Sequence, residues 1–374
     1  MTAIIFVKKY FLTLAGLLFS FGAFIVQLRK GEVMIQQDKW LMQSKLVPEL
    51  NPLLQKRYRL LQMIEATEPI GRRALADMLK MTERMVRNET AILKQEGLIE
   101  IHQTGMICTN DGKEVIESLR EYVYNVSGLL EKEQRLAEKL GIRKVLIAEN
   151  VSDDTELQLN IIGKLAAEKL MSLVNEKDIV AVTGGSSVAA IVPYLLPVRQ
   201  FTGVQVVAAR GGLGQVLSTQ ANTIASHFSQ QSGAIPKLLF VPENLSKESY
   251  DAIREEPVIK EVTSLYDTVN IVIHGIGEAL EMAGRRNASN ELLANLKDKG
   301  AVGEAFGYYF NEDGEIVHQI ASIGIQLEQV KQANHCIAVA AGTSKVAAIQ
   351  AYLKNCMPQT TLITDELTAD LILG

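Results

Sequence analysis

Two stretches of the chain share one arrangement. Residues 180–192, "VAVTGGSSVAAIV", and residues 337–349, "IAVAAGTSKVAAI", each pass from an apolar run through glycine and hydroxyl side chains into a small-residue apolar run. If the first run is a strand and the last a helix, the loop between them meets the free amides of a helix start. The helix dipole adds partial positive charge there, so an anion is welcome. Gly184 and Gly185 let the backbone approach such a ligand, and Ser186 and Ser187 offer hydroxyl donors. Gly342, Thr343 and Ser344 repeat the chemistry, and Lys345 adds a full charge. Neither loop has the longer spacer before lysine that a Walker phosphate loop requires. One such loop is often a plain helix cap, whereas two in one sheet point to a ligand with two anionic groups.

Further polar residues fall on comparable loops. "AARGGLGQVLSTQAN" supplies Arg210 and Gln220, and "HGIGEALEMAGRR" supplies Arg285 and Arg286. "VGEAFGYYFNEDGEIV" supplies Glu304 ahead of aromatic strand residues, and its Asn311 to Gly314 turn reads as a hairpin. Arginine forks suit phosphate oxygens, and a carboxylate suits sugar hydroxyls. Catalysis has less support. His102, His227, His274, His318 and His335 show neither metal-ligand spacing nor a Ser-His-Asp arrangement. There is no G-x-S-x-G elbow and no full dinucleotide fingerprint. Glu278, Asp313 and Asp365 are the acid–base candidates, but loop carboxylates are usually solvated. The expectation is a binding site with no catalytic residue, no metal and no cofactor.

The elements that would position these loops begin at Lys144. "KVLIAE", "DIVAVT", "VQVVAA", "KLLFVP", "VNIVIHGIG", "CIAVAAG" and "TTLIT" are short, rich in valine and isoleucine, and mostly separated by helix-length segments. That pattern predicts an α/β domain over 144–374, with a largely parallel sheet and helices on both faces. Ligands of such sheets sit beyond the carboxyl ends of the strands, where every Gly-rich loop falls. Before it, residues 112–143 read as a charged helical linker interrupted near Asn125 to Gly128.

Residues 34–111 read differently. Leu50, Leu54, Leu61 and Ile64 share one helical face. "TEPIG" breaks that helix, Arg72 to Lys80 forms a short one, and Thr82 caps a third that runs from Glu83 to Gln95. At 100° per residue, Met85, Val86, Ile92 and Leu93 fall inward, with Arg84, Arg87, Asn88, Ala91, Lys94 and Gln95 outward. The outward side carries cations and amides without a carboxylate, the set that reads base edges in a major groove and anchors on phosphate. Between Lys56 and Lys94 there are nine basic and five acidic residues, so this region is positive although the whole chain carries a net charge of −5. "GLIEIHQTGMICT" has two short alternating runs around Gln103 to Gly105, a β-wing. The whole resembles a winged helix-turn-helix that would place its second helix in the groove; a small helical domain with a solvated polar face would have to account for the carboxylate-free stripe, the turn and the wing together. Arg72, Arg73, Thr82, Arg84, Arg87, Asn88 and Lys94 are the candidate DNA contacts. Glu89 falls on the buried side, which suits it only if it pairs with Arg72 or Arg73.

Composition supports a multi-domain globular protein: 374 residues, 47% hydrophobic and 22% charged. Cys108, Cys336 and Cys356 are widely spaced and odd in number, which argues against a disulfide scaffold and for a reducing cytoplasm. One stretch conflicts with that setting. Residues 10–28, "YFLTLAGLLFSFGAFIVQL", are uncharged, long enough to span a bilayer, and flanked by Lys8, Lys9, Arg29 and Lys30. They are either a membrane anchor or part of an untranslated extension over 1–33. Codons for Lys30-Gly31-Glu32 can spell a ribosome-binding site just upstream of Met34, which makes Met34 the expected start.

With "VAVTGGSS", "ARGGLG", "HGIGEA", "RRN", "AFGYYF" and "TDE" following a winged helix-turn-helix, the chain resembles the SorC/DeoR-type sugar-responsive bacterial regulators over residues 46 to 374. The resemblance implies a cytoplasmic repressor of a glycolytic operon that binds operator DNA as a homo-oligomer, a dimer or tetramer, and responds to fructose 1,6-bisphosphate. It also implies that Gly184, Gly185, Ser186, Ser187, Arg210, Gln220, Arg285, Arg286, Glu304 and Lys345 hold the effector. The effector fold is similar to sugar-phosphate isomerases and deaminases, which leaves an enzyme with an accessory helical domain as the alternative. Against deamination, "HGIGEAL" has Gly-Glu-Ala where the deaminases have Asp-Gly-His.

Overall fold

The computed structural model describes residues 46–150, 154–212, 216–242, 246–354 and 358–374. The apolar stretch 10–28 and the start at Met34 lie outside the described residues, as does Cys356. Among the described residues no helix is long and apolar enough to cross a membrane. The chain divides into two compact units, one of residues up to Pro69 with Arg87–Val126, the other of Ile70–Val86 with Ser127–Gly374.

The N-terminal elements are α1 (Leu50–Thr67), α2 (Arg72–Met78), α3 (Glu83–Gln95), β1 (Ile99–His102), β2 (Gly105–Cys108) and α4 (Asn110–Val126). Helix, turn and helix follow as the sequence predicts. Lys80 takes a positive φ of 51° in the turn, and Thr82 Oγ1 accepts the Met85 amide at 3.2 Å to cap α3. The wing pairs antiparallel from Ile99 with Cys108 to His102 with Gly105. Glu68 fastens it, accepting the Cys108 amide at 2.6 Å and Lys113 Nζ at 3.0 Å. Burial pushes the Cys108 thiol up to about 11, with Glu65 and Glu68 acting the same way.

One expectation on α3 fails: Met85 is exposed at 45%. Helical side chains lean toward the N-terminus, and on a first turn there is no preceding turn to lean on. The stretch read as a linker is two helices, parted at Ser127 and Gly128. The first, α4, lies along α1, with the Tyr58 hydroxyl donating to the Ile116 carbonyl at 3.0 Å and the Tyr122 hydroxyl to Asn51 Oδ1 at 3.1 Å. The second, Leu129–Leu140, packs on the first strand of the large sheet.

That sheet has seven strands, all parallel: β3 (Lys144–Ala148), β4 (Ile179–Val182), β5 (Gln205–Ala208), β6 (Ile235–Lys237), β7 (Ile271–Gly275), β12 (His335–Val339) and β13 (Thr360–Asp365). Their order is β3-β13-β12-β7-β4-β5-β6. Six of them match apolar runs read from the sequence, and the central ones are buried on both faces, as parallel strands are. "KLLFVP" is displaced: the strand ends at Lys237, and Phe240 is 72% exposed. The Asn222 amide has taken the place of a strand neighbour there, donating to the Leu239 carbonyl at 2.9 Å and accepting its amide at 2.8 Å.

β7 runs straight into a second, antiparallel sheet of order β11-β10-β9-β8, made of β8 (Gly277–Glu278), β9 (Ala301–Ala305), β10 (Tyr308–Asn311) and β11 (Ile316–Gln319). The predicted hairpin is its β10–β11 turn, closed by the Asn311 amide on the Glu315 carbonyl at 3.0 Å. Helices Ala279–Arg285 and Asn290–Asp298 pack on it through Ala279, Ala283, Leu296, Ala301 and Tyr309. Helix Val346–Lys354 crosses β9 so closely that a Cβ on Gly303 would stand 2.9 Å from the Ala348 Cα.

Candidate functional site

Strands β4, β5 and β6 step outward in one direction, and β7, β12 and β13 in the other. The order therefore reverses between neighbours β4 and β7, the point where open parallel sheets take ligands beyond their carboxyl ends. The two glycine loops leave β4 and β12, on either side of β7. Their strands are two sheet spacings apart, roughly 10 Å.

The first loop is a built turn. Gly185 has φ 118°, a conformation that favours glycine, and its amide donates to the Thr219 carbonyl at 2.8 Å. A Cβ on Gly184 would stand 2.7 Å from that same carbonyl oxygen. This close approach also sets Gln220, the residue before helix Ala221–Ser232, beside Gly184. Ser186 is exposed, and Ser187 is buried.

The second loop hangs from Asp365 at the end of β13. The Gly342 amide donates to Asp365 Oδ2 at 2.6 Å and to Thr368 Oγ1 at 3.0 Å, and Gly342 takes φ 106°. Asp365, an acid–base candidate in the sequence, is thus a buried cap that also accepts the Thr368 amide at 2.8 Å. Glu278 is likewise a cap, accepting the Leu280 and Glu281 amides, and Asp313 is exposed near Lys354. Thr343 and Ser344 are exposed. Lys345 is half-buried; its amide donates to the Gly342 carbonyl at 2.9 Å, and its ammonium makes no hydrogen bond or ion pair within the described residues. Burial lowers its pKa from the ordinary lysine value; Glu281 opposes this, Arg285 adds to it, and Asp365 opposes it.

Arg210, Arg286 and Glu304 form a third group. Glu304 is 3% exposed, and its Oε1 accepts the Gly307 amide at 2.6 Å and Arg286 Nη2 at 3.1 Å, with Arg210 Nη1 at 3.7 Å. Arg210 also donates to Ser322 Oγ at 2.8 Å and lies under Gly307, where a Cβ would come within 2.5 Å of its Nη1. Arg286 also reaches the Tyr309 hydroxyl at 3.3 Å. The three therefore meet one another, whereas the sequence offered each as a separate group for ligand. Arg285 points elsewhere: it is exposed and bonds Glu281 one turn back on its own helix. Among the described residues it touches the loops through its electrostatic effect on Lys345.

The sequence reading gave His274 no part. It is fully buried at the end of β7, its Nδ1 donating to the Gly275 carbonyl at 3.0 Å and its Nε2 facing the Tyr352 hydroxyl at 3.3 Å. Burial lowers its pKa to about 4, so the ring is neutral. It packs against Phe306, tilted, and Tyr352, edge to face, at centroid distances of 4.6 and 5.0 Å. A histidine inside the apolar run "VNIVIHGIG" was the available signal. Among the described residues no group of His, Cys, Asp and Glu could hold a metal ion.

On the N-terminal elements, Arg72, Arg73, Thr82, Arg84, Arg87, Asn88 and Lys94 are all exposed. Glu89 is the correction. It pairs with neither Arg72 nor Arg73; its carboxylate binds Lys56 and Arg57 of α1, with Arg57 Nε at 2.8 Å. The local wheel gave its burial, but its partner Arg57 stands 32 residues upstream on another helix, out of reach of a helical wheel.

Comparison with known proteins agrees with this arrangement. Residues 53–123 match the family described as "CggR N-terminal DNA binding domain", and residues 124–374 the family described as "Putative sugar-binding domain". The chain is 41% identical to the central glycolytic genes regulator of Bacillus subtilis over 331 residues, 88% of this chain and 97% of that one. Among solved structures, a SorC family transcriptional regulator from Enterococcus faecalis superposes with TM-score 0.61 at 37% identity, over 65% of this chain and all of that one. The full-length sorbitol operon regulator SorC of Klebsiella pneumoniae shares the fold, with TM-score 0.63 at 20% identity over 82% of this chain and 94% of that one. These relatives are regulators, which sets aside the reading as an isomerase or deaminase. The chain belongs to the family of the central glycolytic genes regulators, in which a DNA-binding domain precedes a sugar-binding domain.

Proposed function

We propose that this protein represses a glycolytic operon by binding operator DNA, and that a sugar bisphosphate, fructose 1,6-bisphosphate by family resemblance, weakens that binding. One observation carries the effector half. Two glycine loops flank β7 at the reversal of strand order, and one of them bears a half-buried lysine with no carboxylate bonded to it. A ligand with an anion at each end suits two such loops roughly 10 Å apart. One phosphate takes the Gly184 to Ser187 backbone and hydroxyls; the other takes the Gly342 to Ser344 loop and Lys345. Binding restores to Lys345 the countercharge that burial makes valuable. Gln220 borders the first loop, and Arg210, Arg286 and Glu304, held to one another, are the further effector contacts.

The DNA half rests on the exposed, carboxylate-free face of α3, with Arg84, Arg87 and Asn88 reading bases and Lys94 on phosphate. Arg72, Arg73 and Thr82 add backbone contacts ahead of it. For the sugar to relieve repression it must bind the DNA-free arrangement more tightly, and by linkage DNA must weaken the sugar by the same factor. Assembly as a homo-oligomer, a dimer or tetramer, supplies paired reading helices for a two-half-site operator.

Calorimetric titration of fructose 1,6-bisphosphate into the protein, alone and with its upstream promoter DNA, tests the reading. The expected result is sugar binding that DNA weakens and DNA binding that sugar weakens. Sugar binding indifferent to DNA would sink the coupled repressor.

A further inference from the structure

Glu89 stands in α3 between Asn88 and Thr90, yet it is only 9% exposed. Its two oxygens take two neighbouring cations of α1. Oε1 faces Lys56 Nζ, and Oε2 accepts Arg57 Nε at 2.8 Å. Against the burial that would raise it, these partners hold its carboxyl below the ordinary carboxylate range, so it is charged at neutral pH.

A carboxylate gripped on both oxygens by successive residues of another helix is fixed in rotation as well as in depth. Adjacent helical residues stand 100° apart, so pinning Glu89 inward turns Arg87, Asn88 and Ala91 outward, and all three are exposed. The same grip has a second effect. The Lys56 and Arg57 side chains are each 32% exposed and so reach the surface, but their charge is committed to Glu89 rather than to phosphate.

We propose that Glu89 is a positioning residue for DNA recognition, setting the rotation of α3 through Lys56 and Arg57 and withholding those two cations from the phosphate backbone. The inference rests on the reading of α3 as the base-contacting helix, and it assigns specificity to a residue that touches no DNA.

The test uses the full chain carrying Glu89→Gln, titrated against promoter DNA and against a scrambled duplex of equal length over a series of salt concentrations. Operator affinity is expected to fall about tenfold. Affinity for the scrambled duplex is expected to rise at low salt, and its slope of log affinity against log salt to steepen by about 1–2, as one or both freed cations reach phosphate. A loss of folded protein would instead lower both affinities by one factor without changing the slope. An unchanged ratio of operator to scrambled affinity overturns the proposal. Arg57→Gln provides a second variant that leaves Lys56 on Glu89, and it is expected to lower the ratio severalfold. If instead the ratio holds and the slope becomes shallower, Arg57 is itself a phosphate contact and the proposal falls. Wild-type protein that does not distinguish the two duplexes would refute the DNA reading, an outcome separate from either variant's.

Discussion

Replacing Glu304 with glutamine keeps the shape of the side chain and removes its charge. In the native fold Oε1 accepts from Gly307 and Arg286 while Arg210 stands at 3.7 Å. A hydrogen bond involving a charged group contributes about 1.5–3 kcal/mol net, against about 0.5–1.5 for a neutral pair, so each of the two accepted bonds weakens by about 1 kcal/mol. Arg210, 8% exposed, loses its carboxylate, which costs about 1 kcal/mol more. The total of about 3 kcal/mol lies at the low end for breaking a buried ion pair, because Arg210 keeps its bond to Ser322. At about 2 °C per kcal/mol for a unit of this size, the C-terminal unit should melt about 6 °C lower. Thermal unfolding by circular dichroism without sugar measures this, alongside sugar affinity at a temperature where both proteins are folded. A melting temperature within about 1 °C of wild type, with sugar affinity lost, would refute the reasoning and make Glu304 a ligand group alone.

Other perturbations separate the two functions. Arg87→Ala should weaken operator binding by about 1–3 kcal/mol in a mobility-shift assay and leave the sugar isotherm unchanged, and equal loss of both would contradict two distinct sites. Lys345→Ala should blunt the sugar's effect on DNA binding without reducing DNA affinity itself, which a promoter titration at fixed sugar reads directly; an unaltered sugar response would remove that loop from the site. His274 predicts a pH window. Its folded pKa of about 4 lies below the ordinary 6.5, so as pH falls the unfolded chain takes up the proton first. The neutral-ring contribution to stability is full above about 6.5 and lost progressively toward about 4. Denaturant unfolding of wild type and His274→Gln across that range should show the wild-type slope alone, and parallel curves would count against it.

How much of this was legible in advance differs from place to place. Six of the seven apolar runs named strands of the parallel sheet, because strands buried on both faces must be apolar at nearly every position, whereas the edge strand Ile235–Lys237 is largely exposed and meets its run only at Lys237. The helix, turn, helix and wing followed from a break at Pro69, a cap at Thr82 and two alternating runs, all local signals. Where a side chain competed with the backbone ladder, as Asn222 does at Leu239, the strand boundary moved and no local pattern announced it.

The site residues divide in the same way. That Gly184, Gly185 and Gly342 sit in loops at strand ends was written in the sequence, since strand, glycine and helix succeed one another along the chain. That the loops flank β7 at a reversal of strand order was decided by pairing of β7 with strands 64 and 91 residues away, which residue spacing does not encode. Residue type told that Arg210, Arg286 and Glu304 could bind phosphate or hydroxyl. Only tertiary packing showed them bound first to one another, and Glu89 bound to Lys56 and Arg57, because a buried charge is stable only with partners, and the fold rather than the sequence decides which ones come within reach.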